Sequence, residues 1–561
     1  MKYKRLGEML TEAKLITEEQ LMEALALQRG SGKRLGSVLI EYGFITEASL
    51  IEMLRIQLGI QFIDLTNTKI DPELVNTIPK NMAQKYGMIP VRIDKDYLYL
   101  AMEDPLNFMA VEEARVVSRR KIMPMIATAS GVSRAYNILY ENEGALKAMV
   151  EMRQEGGFVE EGTEQTREHA TEHAGGAPTI RLVNSIVERA VAERASDIHI
   201  EPTAEDMNVR IRVDGRLMNI LTIPKDLNQA VISRIKIMGH MDIAERRIPQ
   251  DGRTSIKIKD KEVDMRLSTL PTIFGEKVVI RILLKDPGLL SREGIGLPKE
   301  SRETFDRLLQ HNSGVLLIVG PTGSGKTSTM YTMINELKSE AVNIIMLEDP
   351  VEYQMDGVTQ VQVNEKTGMT FASALRSVLR QDPDIIGVGE IRDGETAEIA
   401  MRAAMTGHLV ISTIHTEDAI SALDRLRDMG VEPYLIAGGV RGIISQRLVR
   451  RICKNCIKEE EPTDMQKDLV GILPGDTRTF YKGSGCHMCF HSGYYKRTSV
   501  FEILTINQSI RDCITEQKSK AELRRAIAES GFIPMIRSGL KLAEEGVTSI
   551  EELCRNISII E

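Results

Sequence analysis

The stretch VLLIVGPTGSGKTS, from Val315 to Ser328, carries the strongest structural signal in this 561-residue chain. Its five leading apolar residues predict a buried β-strand, and residues 328–337 predict a helix. The residues between them follow the pattern G-x-x-x-x-G-K-[ST], a phosphate-binding loop (P-loop). In such a loop, backbone N–H groups face a phosphate at the start of a helix, whose dipole favours anions. We therefore expect a nucleotide site formed by Gly320, Pro321, Thr322, Gly323, Ser324, Gly325, Lys326, Thr327 and Ser328.

Hydrolysis of a bound ATP needs more than this loop. Lys326 would neutralise the β and γ phosphates, and the Thr327 hydroxyl would bind Mg²⁺. Two later apolar segments, residues 343–347 and 384–388, predict strands that run into acidic clusters at residues 348–352 and 389–393. Ligands bind beyond the carboxyl ends of parallel strands, so we expect both clusters to converge on the lysine. The alternative is that these acids are helix caps or solvated loop residues.

Two histidines bracket another predicted strand, residues 409–413. A lone histidine is usually structural. His408 and His415, at the two ends of one strand in the same sheet, could instead contact a phosphate or a neighbouring subunit.

Composition and charge exclude several classes of protein. With 42% apolar and 27% charged residues, the chain can build several packed cores, so a wholly disordered protein is excluded. The net charge of −8, the absence of Trp and an aromatic content of 4% argue against a nucleic-acid-binding protein. No apolar run approaches membrane-spanning length, and MKYKRLGEML lacks the apolar core of a signal peptide. We therefore expect a cytoplasmic protein that reaches a membrane only by docking.

Four of the six cysteines form two C-x-x-C pairs. In a reducing compartment this spacing suits a tetrahedral zinc site more than disulfides, with unbound thiols as the alternative. The residues between the two cysteine pairs show no long apolar period, so a bound metal ion would supply the stability that a hydrophobic core cannot provide there. The predicted ligands are Cys453, Cys456, Cys486 and Cys489.

The remaining chain divides by composition. RLG recurs at residues 5–7 and 34–36, with apolar residues at matching offsets, which predicts a small helical module. A segment rich in Glu, Gly and Thr predicts a flexible linker that leaves this module free to move. Alternating strands with an Asp214-Gly215 turn predict an α+β domain, and strands alternating with helices beyond Gly294 predict a parallel sheet. The predicted segments are 1–151 (helical or α+β module), 152–178 (linker), 179–287 (second α+β domain), 288–448 (nucleotide-binding core), 449–498 (four-cysteine element) and 499–561 (C-terminal helical region).

Four sequence boxes together identify a family. GPTGSGKT, LEDPVEY, LRQDPDIIGVGEIRD and TGHLVISTIHT occur in the order and spacing of the type II secretion and type IV pilus assembly ATPases. ASDIHIEP at residues 195–202 and RVDGRL at 212–217 resemble signatures of that family's second N-terminal domain. The resemblance covers essentially the whole chain. It implies an α/β fold: a RecA-like P-loop ATPase domain, preceded by a PAS-like α+β domain and a small helical N-terminal module of the MshEN type, with a zinc-binding insertion.

The resemblance also implies roles for single residues in a hexameric ring that binds ATP between its two main domains. Glu352 would orient the attacking water, and Glu390 would assist Mg²⁺. Arg266 and Arg281 would reach the γ-phosphate from the linked domain, where a guanidinium stabilises the transferring oxygens. Without the resemblance, both arginines read as solvated strand residues. The residues implied to sense the γ-phosphate are His408 and His415.

The N-terminal repeat resembles a tandem RLG motif that binds cyclic di-GMP in some family members. Arginines beside glycine-rich helix starts suit phosphates and guanines. The first copy departs from the second, since Lys14 stands where the second has Gly43, so a simple docking or core repeat is the alternative. The residues implied for this ligand are Arg5, Gly7, Arg34 and Gly36.

From these features we expect a Mg²⁺-dependent ATPase motor that powers type IV pilus assembly at the cytoplasmic face of the inner membrane. Its implied partners are an inner-membrane platform protein and a cytoplasmic adaptor. The four-cysteine element and the long N-terminal extension, which the family's retraction ATPases lack, favour assembly over retraction. The alternatives are a type II secretion ATPase, a nucleic-acid motor, and a cyclic-dinucleotide sensor whose ATP site is a static clamp.

Overall fold

The computed structural model shows two compact units, Met1–Leu283 and Leu284–Glu561. Three residues of the predicted cyclic di-GMP site, Arg5, Arg34 and Gly36, and most of the predicted linker lie outside the described residues. The described residues are 6–557 without 32–34, 36–37, 40–41, 43, 46–48, 50–52, 54–59, 66–67, 69–71, 129–130, 133–134, 137–138, 141–142, 156–175, 259–260, 285–287, 289, 474–475 and 490–491.

The N-terminal repeat begins with helices α1 (Leu6–Glu12) and α2 (Glu18–Ser31). Leu10 and Ile16 of the first copy and their counterparts Leu39 and Ile45 of the second are all buried in one cluster. Gly7 allows the two helices to approach closely, since a Cβ there would lie 2.7 Å from Leu21 Cδ1. The RLG glycine of the first copy thus has a packing role.

The remainder of this module contains a sheet as well as helices, which corrects a purely helical module and agrees with the α+β alternative. A three-stranded sheet of order β1-β2-β3 lies within residues 88–126, with β1 and β2 antiparallel and β2 and β3 parallel. The strands were missed because they are short, and because β1 begins with four buried residues whose run does not distinguish a strand from a helix. The elements are α3 (Lys80–Tyr86), β1 (Met88–Asp94), β2 (Tyr97–Met102), α4 (Phe108–Ser118), β3 (Lys121–Ile126) and α5 (Glu143–Glu155).

The second part of this unit is a six-stranded sheet of order β6-β5-β4-β9-β8-β7, with Asp214 and Gly215 at the predicted turn. The alternating segments 198–200, 209–213, 263–267 and 278–284 predict β4, β5, β8 and β9, whereas β6 and β7 are missed. The elements are α6 (Ala177–Ala192), β4 (Asp197–Pro202), β5 (Asp206–Val213), β6 (Arg216–Pro224), α7 (Asn228–Met238), β7 (Gln250–Ile258), β8 (Lys261–Thr272) and β9 (Gly275–Leu284).

Helices α5 and α6, on either side of the predicted linker, contact each other. Arg181 pairs with Glu151, and Arg153 donates two hydrogen bonds to Asp226 at 3.1 and 3.2 Å. Residues 152–155 and 177–178 are helical. The bounds of the predicted linker therefore overlap the ends of both helices, and the two helices that flank it pack together.

The second unit is built on a seven-stranded sheet of order β12-β11-β13-β14-β10-β15-β18. All neighbouring pairs are parallel except the last, β15 with β18. Apolar clusters cover both faces, which explains the uninterrupted apolar strands of the sequence. The strands are β10 (Gly314–Val319), β11 (Ile344–Glu348), β12 (Thr359–Gln362), β13 (Ile385–Val388), β14 (Leu409–Ile414), β15 (Val440–Ile452) and β18 (Tyr494–Thr505).

Two predicted boundaries in this unit change. Residues 499–505 belong to β18 and not to a helical region, and β15 includes the first four residues, 449–452, of the segment predicted for the cysteine element. A small antiparallel pair, β16 (Ile457–Glu460) with β17 (Phe480–Gly483), lies within that element. The helices are α8 (Lys299–Leu309), α9 (Lys326–Leu337), α10 (Phe371–Val378), α11 (Gly394–Met405), α12 (Ala419–Asp428), α13 (Pro433–Gly439), α14 (Asp464–Val470), α15 (Gln508–Thr515), α16 (Lys520–Glu529), α17 (Met535–Glu544) and α18 (Ile550–Asn556).

Within the described part of the chain, no helix combines the length and the apolarity that a bilayer crossing requires.

Candidate functional site

The P-loop connects β10 to α9 as predicted. Gly320, Gly323 and Gly325 have φ angles of 150°, 79° and 92°, a region that favours glycine. A Cβ on Gly320 would lie 2.5 Å from Ser324 Oγ, and one on Gly325 would lie 2.7 Å from Gln446 Nε2. The loop is therefore folded tightly against its own residues and against β15, and side chains at these two positions would not fit.

Lys326 is the first residue of α9 and is 7% exposed. Its Nζ donates hydrogen bonds to the carbonyls of Gly320, at 2.9 Å, and Pro321, at 3.1 Å, and lies 3.4 Å from His415 Nδ1. Burial lowers the pKa of Lys326 to about 8, against the charge of Glu390, which raises it. The ammonium group is thus held at the mouth of the loop by neutral acceptors, where a phosphate would be its natural partner.

A contiguous polar chain leads from this lysine to one of the predicted acids. His415 Nε2 lies 3.4 Å from Glu390 Oε2. Burial, and then the charge of Lys326, lowers the pKa of His415, which favours the neutral ring. The geometry fits the tautomer in which Nε2 carries the hydrogen and Nδ1 accepts from the lysine.

Glu390 is held as a carboxylate by Arg392. The Arg392 guanidinium donates to Glu390 at 2.5 Å and lies 3.7 Å from Asp349, so it bridges the two predicted acidic clusters. Burial alone would raise the pKa of Glu390, but the hydrogen bond from Arg392, with nearby positive charges, lowers it below its ordinary value. Sequence reasoning quoted Arg392 only as part of a box; its position two residues after Glu390 is the signal that could have identified it.

The order of strands explains why these residues meet. Strand β14, which ends before His415, is hydrogen-bonded to β10 on one side and to β13 on the other. Glu390 follows β13, and the loop containing Glu352 follows β11, the next strand along. Glu352 is exposed on that loop. Glu390 therefore contacts the residues at the P-loop edge directly, through His415. Glu352 follows a strand that lies one position farther from β10 than β13 does.

His408 does not join this group. It lies at the amino end of β14, where its backbone carbonyl accepts from Gly314 N and its ring Nδ1 lies 3.0 Å from the Ala403 carbonyl. The six residues of β14 separate it from His415, a distance of roughly 20 Å. His408 and His415 therefore stand at opposite ends of β14, and only His415 lies beside the P-loop lysine of its own chain.

Arg266 and Arg281 lie in the first unit, on β8 and β9. Their sequence neighbours Met265, Leu267, Ile280 and Ile282 are buried, so alternation along the strands places both arginines on the opposite, outer face of the sheet. Arg281 Nε donates to Asp197 Oδ1 at 3.1 Å, and its side chain is 63% exposed. Arg266 and Arg281 therefore lie on the same face of the sheet.

Residues behind the P-loop that sequence reasoning missed come from β15 and β18. Gln446 accepts a hydrogen bond from Thr329 at 2.6 Å and donates to Ser499 at 3.0 Å. Arg447, beside it, donates to the Glu417 carbonyl at 2.7 Å. More than 100 residues separate Gln446 from the P-loop in sequence, so no local pattern pointed to it.

The four predicted cysteine ligands come together in the structure. Their sulfur atoms all lie within 4.8 Å of one another, with Cys453–Cys486 and Cys456–Cys489 each at 3.8 Å. Four thiolates at about 2.3 Å from a tetrahedral zinc ion would be about 3.8 Å apart. Asn455 Nδ2 and the amide of Gly493 donate to cluster sulfurs at 3.3 Å. Burial alone would raise the pKa of the Cys486 thiol, but hydrogen bonds such as the one from Asn455 lower this pKa to about 6. The donor set fits zinc.

Comparison with known proteins gives one consistent result. The family described as "Type II/IV secretion system protein" matches residues 172–555, and the "MshEN domain" family matches residues 58–146. "Type IV pilus assembly ATPase PilB" of Myxococcus xanthus is 39% identical over 558 residues, 98% of each chain. "Type II secretion system protein E" of Pseudomonas aeruginosa is also 39% identical, over 85% of this chain and 95% of its own.

Among solved structures, the ATPase DotB of Yersinia pseudotuberculosis superposes with a TM-score of 0.50 at 20% identity. The match covers 67% of this chain and 93% of that one, and it shows a shared α/β ATPase fold. The family predicted from the four sequence boxes is confirmed. With a nucleotide-binding loop, acidic clusters ordered by the sheet and a family match over most of its length, this chain belongs to the type II/IV secretion system protein family, whose members include pilus assembly and type II secretion ATPases.

Proposed function

We propose that this protein is a Mg²⁺-dependent ATPase motor that powers type IV pilus assembly. The observation that carries the proposal is the chain Lys326–His415–Glu390 at the P-loop edge of the sheet. Lys326 provides a cation for the phosphates, and the neutral ring of His415 contacts that cation. Glu390 provides a carboxylate that Arg392 keeps ionised.

Each residue has a defined task in this proposal. Lys326 exchanges its carbonyl partners for the β and γ phosphates, while the exposed Thr327 hydroxyl at the start of α9 and the carboxylate of Glu390 hold Mg²⁺. The metal, when bound, neutralises charge on the phosphate oxygens. Glu352 orients the attacking water. His415 senses the γ-phosphate through its contact with the lysine.

Further groups complete the site in a ring of subunits. We propose that Arg266 and Arg281, on the outer face of their sheet, stabilise the transferring phosphoryl group within a homo-hexamer. His408, at the opposite sheet edge from its own P-loop, is available to a neighbouring subunit. The four cysteines hold a structural zinc ion, which the sulfur spacing supports.

The direct test of this site is ATP hydrolysis by the purified full chain, with and without Mg²⁺. Lys326→Ala should reduce turnover by at least about a hundredfold, because the phosphates lose their central cation. Lys299→Ala, at an exposed lysine on α8, is the matched control and should leave turnover unchanged. Full activity of Lys326→Ala would refute the assignment.

Pilus assembly and type II secretion use the same motor chemistry, so the choice between them rests on the relatives. The M. xanthus pilus ATPase aligns over 98% of both chains, which favours assembly. In this role the protein acts at the cytoplasmic face of the inner membrane, on a platform protein and with a cytoplasmic adaptor. Deletion of the gene should abolish surface pili in electron micrographs and leave protein export intact; the reverse phenotype would establish the secretion function.

A regulatory function is favoured by the MshEN match at residues 58–146. We propose that the N-terminal module binds cyclic di-GMP through Arg5, Gly7, Arg34 and Gly36. The region matched by the family begins after this repeat. Gly7 also packs against Leu21, so a glycine at this position has a structural role in addition to the proposed binding role. Calorimetry with cyclic di-GMP on the full chain, compared with an Arg34→Ala variant, tests the proposal.

A further inference from the structure

A buried polar network lies behind the loop that carries Glu352. Tyr331 on α9 is 2% exposed and Glu348 at the end of β11 is 3% exposed. The Tyr331 hydroxyl donates to Glu348 Oε2, and Gln360 Nε2 donates to Glu348 Oε1 at 2.8 Å. Both carboxylate oxygens are therefore satisfied by side chains from different elements, which is the condition for burying an acid without a large cost.

Two of these three side chains, Tyr331 and Gln360, also bond the backbone of the acidic loop. Tyr353 N donates to the Tyr331 hydroxyl at 3.2 Å, and Gln360 Nε2 also donates to the Tyr353 carbonyl at 2.8 Å. Met355 N donates to Gln360 Oε1 at 2.8 Å. The residue that immediately follows Glu352 is thus fixed at both its N–H and its C=O, although the loop has no regular secondary structure.

Apolar residues of similar volume would fill this position at equal or lower cost, since buried polar groups contribute little net stability. What an apolar replacement could not provide is three directed hydrogen bonds to an irregular backbone. Tyr331 lies five residues after Lys326 on the same helix, so the network also connects the P-loop helix to the acidic loop.

We propose that Glu348 is a positioning residue for ATP hydrolysis: with Tyr331 and Gln360 it sets the place of Glu352 and ties that loop to the P-loop helix. This inference rests on the proposed role of Glu352 as the residue that orients water. A network of this kind acts on turnover and not on nucleotide affinity, because it supports the acidic loop and does not touch the phosphates.

Tyr331→Phe is the sharpest probe, because it removes one oxygen and keeps the ring in the core. In the full chain we expect kcat to fall about tenfold, because Tyr353 N loses its acceptor in the loop and Glu348 loses a donor, while the Kd for ADP changes less than twofold. Tyr434→Phe, at a half-exposed tyrosine on α13, is the matched control and should change neither quantity.

A double-variant cycle distinguishes positioning from general loosening. If Tyr331 acts through Glu352, then Tyr331→Phe should cause no further loss in a chain that already carries Glu352→Gln. Additive losses, or an unchanged kcat in Tyr331→Phe alone, would overturn the inference while leaving the proposed function intact. Full activity of Glu352→Gln alone would overturn both the role of Glu352 and the inference that depends on it.

Discussion

The lowered pKa of Lys326 predicts that nucleotide binding weakens in mildly alkaline solution. Burial holds the pKa of this lysine at about 8, against an ordinary value of 10.5. Phosphate oxygens of a bound nucleotide would favour the charged form and return the pKa toward that ordinary value. The protonated lysine therefore binds more tightly, and affinity falls as pH rises through about 8.

The size of the effect follows from the populations. At pH 7 the free lysine is almost fully protonated, whereas at pH 9 about a tenth of it is, so the Kd for ADP should rise about tenfold between these values. Binding at pH 8 should take up about half a proton per site. Terminal phosphates with pKa values near 6 are already ionised over this range and add little.

Calorimetric titration of ADP into the full chain, in two buffers of different ionisation enthalpy, measures both quantities. Lys326→Arg is the charge control, because a guanidinium does not titrate here and any residual binding should be independent of pH. Glu390→Gln should shift the loss of affinity to lower pH, since the carboxylate raises the pKa of the lysine. A Kd that stays constant from pH 7 to 9, without buffer-dependent enthalpy, would refute the reasoning.

Three further predictions concern single groups of the second unit. Gly325→Ala, with a φ of 92° and a Cβ 2.7 Å from Gln446, should weaken ADP binding at least about tenfold in the same titration; unchanged affinity would contradict the tight loop. Glu552→Ala leaves Arg450 buried and unpaired, so urea denaturation should show a loss of about 3–5 kcal/mol, whereas Arg450→Met combined with Glu552→Leu should lose far less. Cys456→Ser should lower the zinc content of the purified chain well below about one ion, by metal analysis; full retention would exclude the four-thiolate site.

Sequence patterns located most elements whose signals are local. The strand before the P-loop, the helix after it and the turn at Asp214 could be predicted because neighbouring residues decide them. The sheet within residues 88–126 could not, because short buried strands have no period of their own. The assignment of residues 499–505 to a helical region failed for a different reason: β18 is a strand by virtue of its pairing with the distant β15.

The sequence by itself determined the chemical parts of this protein: the glycines, lysine and threonine of the P-loop, the acids after two strands and the two cysteine pairs. Each of these features is a pattern of residues that lie close together in the sequence, so it can be recognised without the fold. Tertiary structure alone decided how they combine. The order β11-β13-β14-β10 brings His415 and Glu390 to Lys326 and leaves His408 at the far edge, because strand order arises from crossover connections and long-range hydrogen bonding. The buried residues that hydrogen-bond behind the site, Tyr331, Glu348 and Gln446, could not be predicted either, since burial and hydrogen-bond partners are properties of the folded chain.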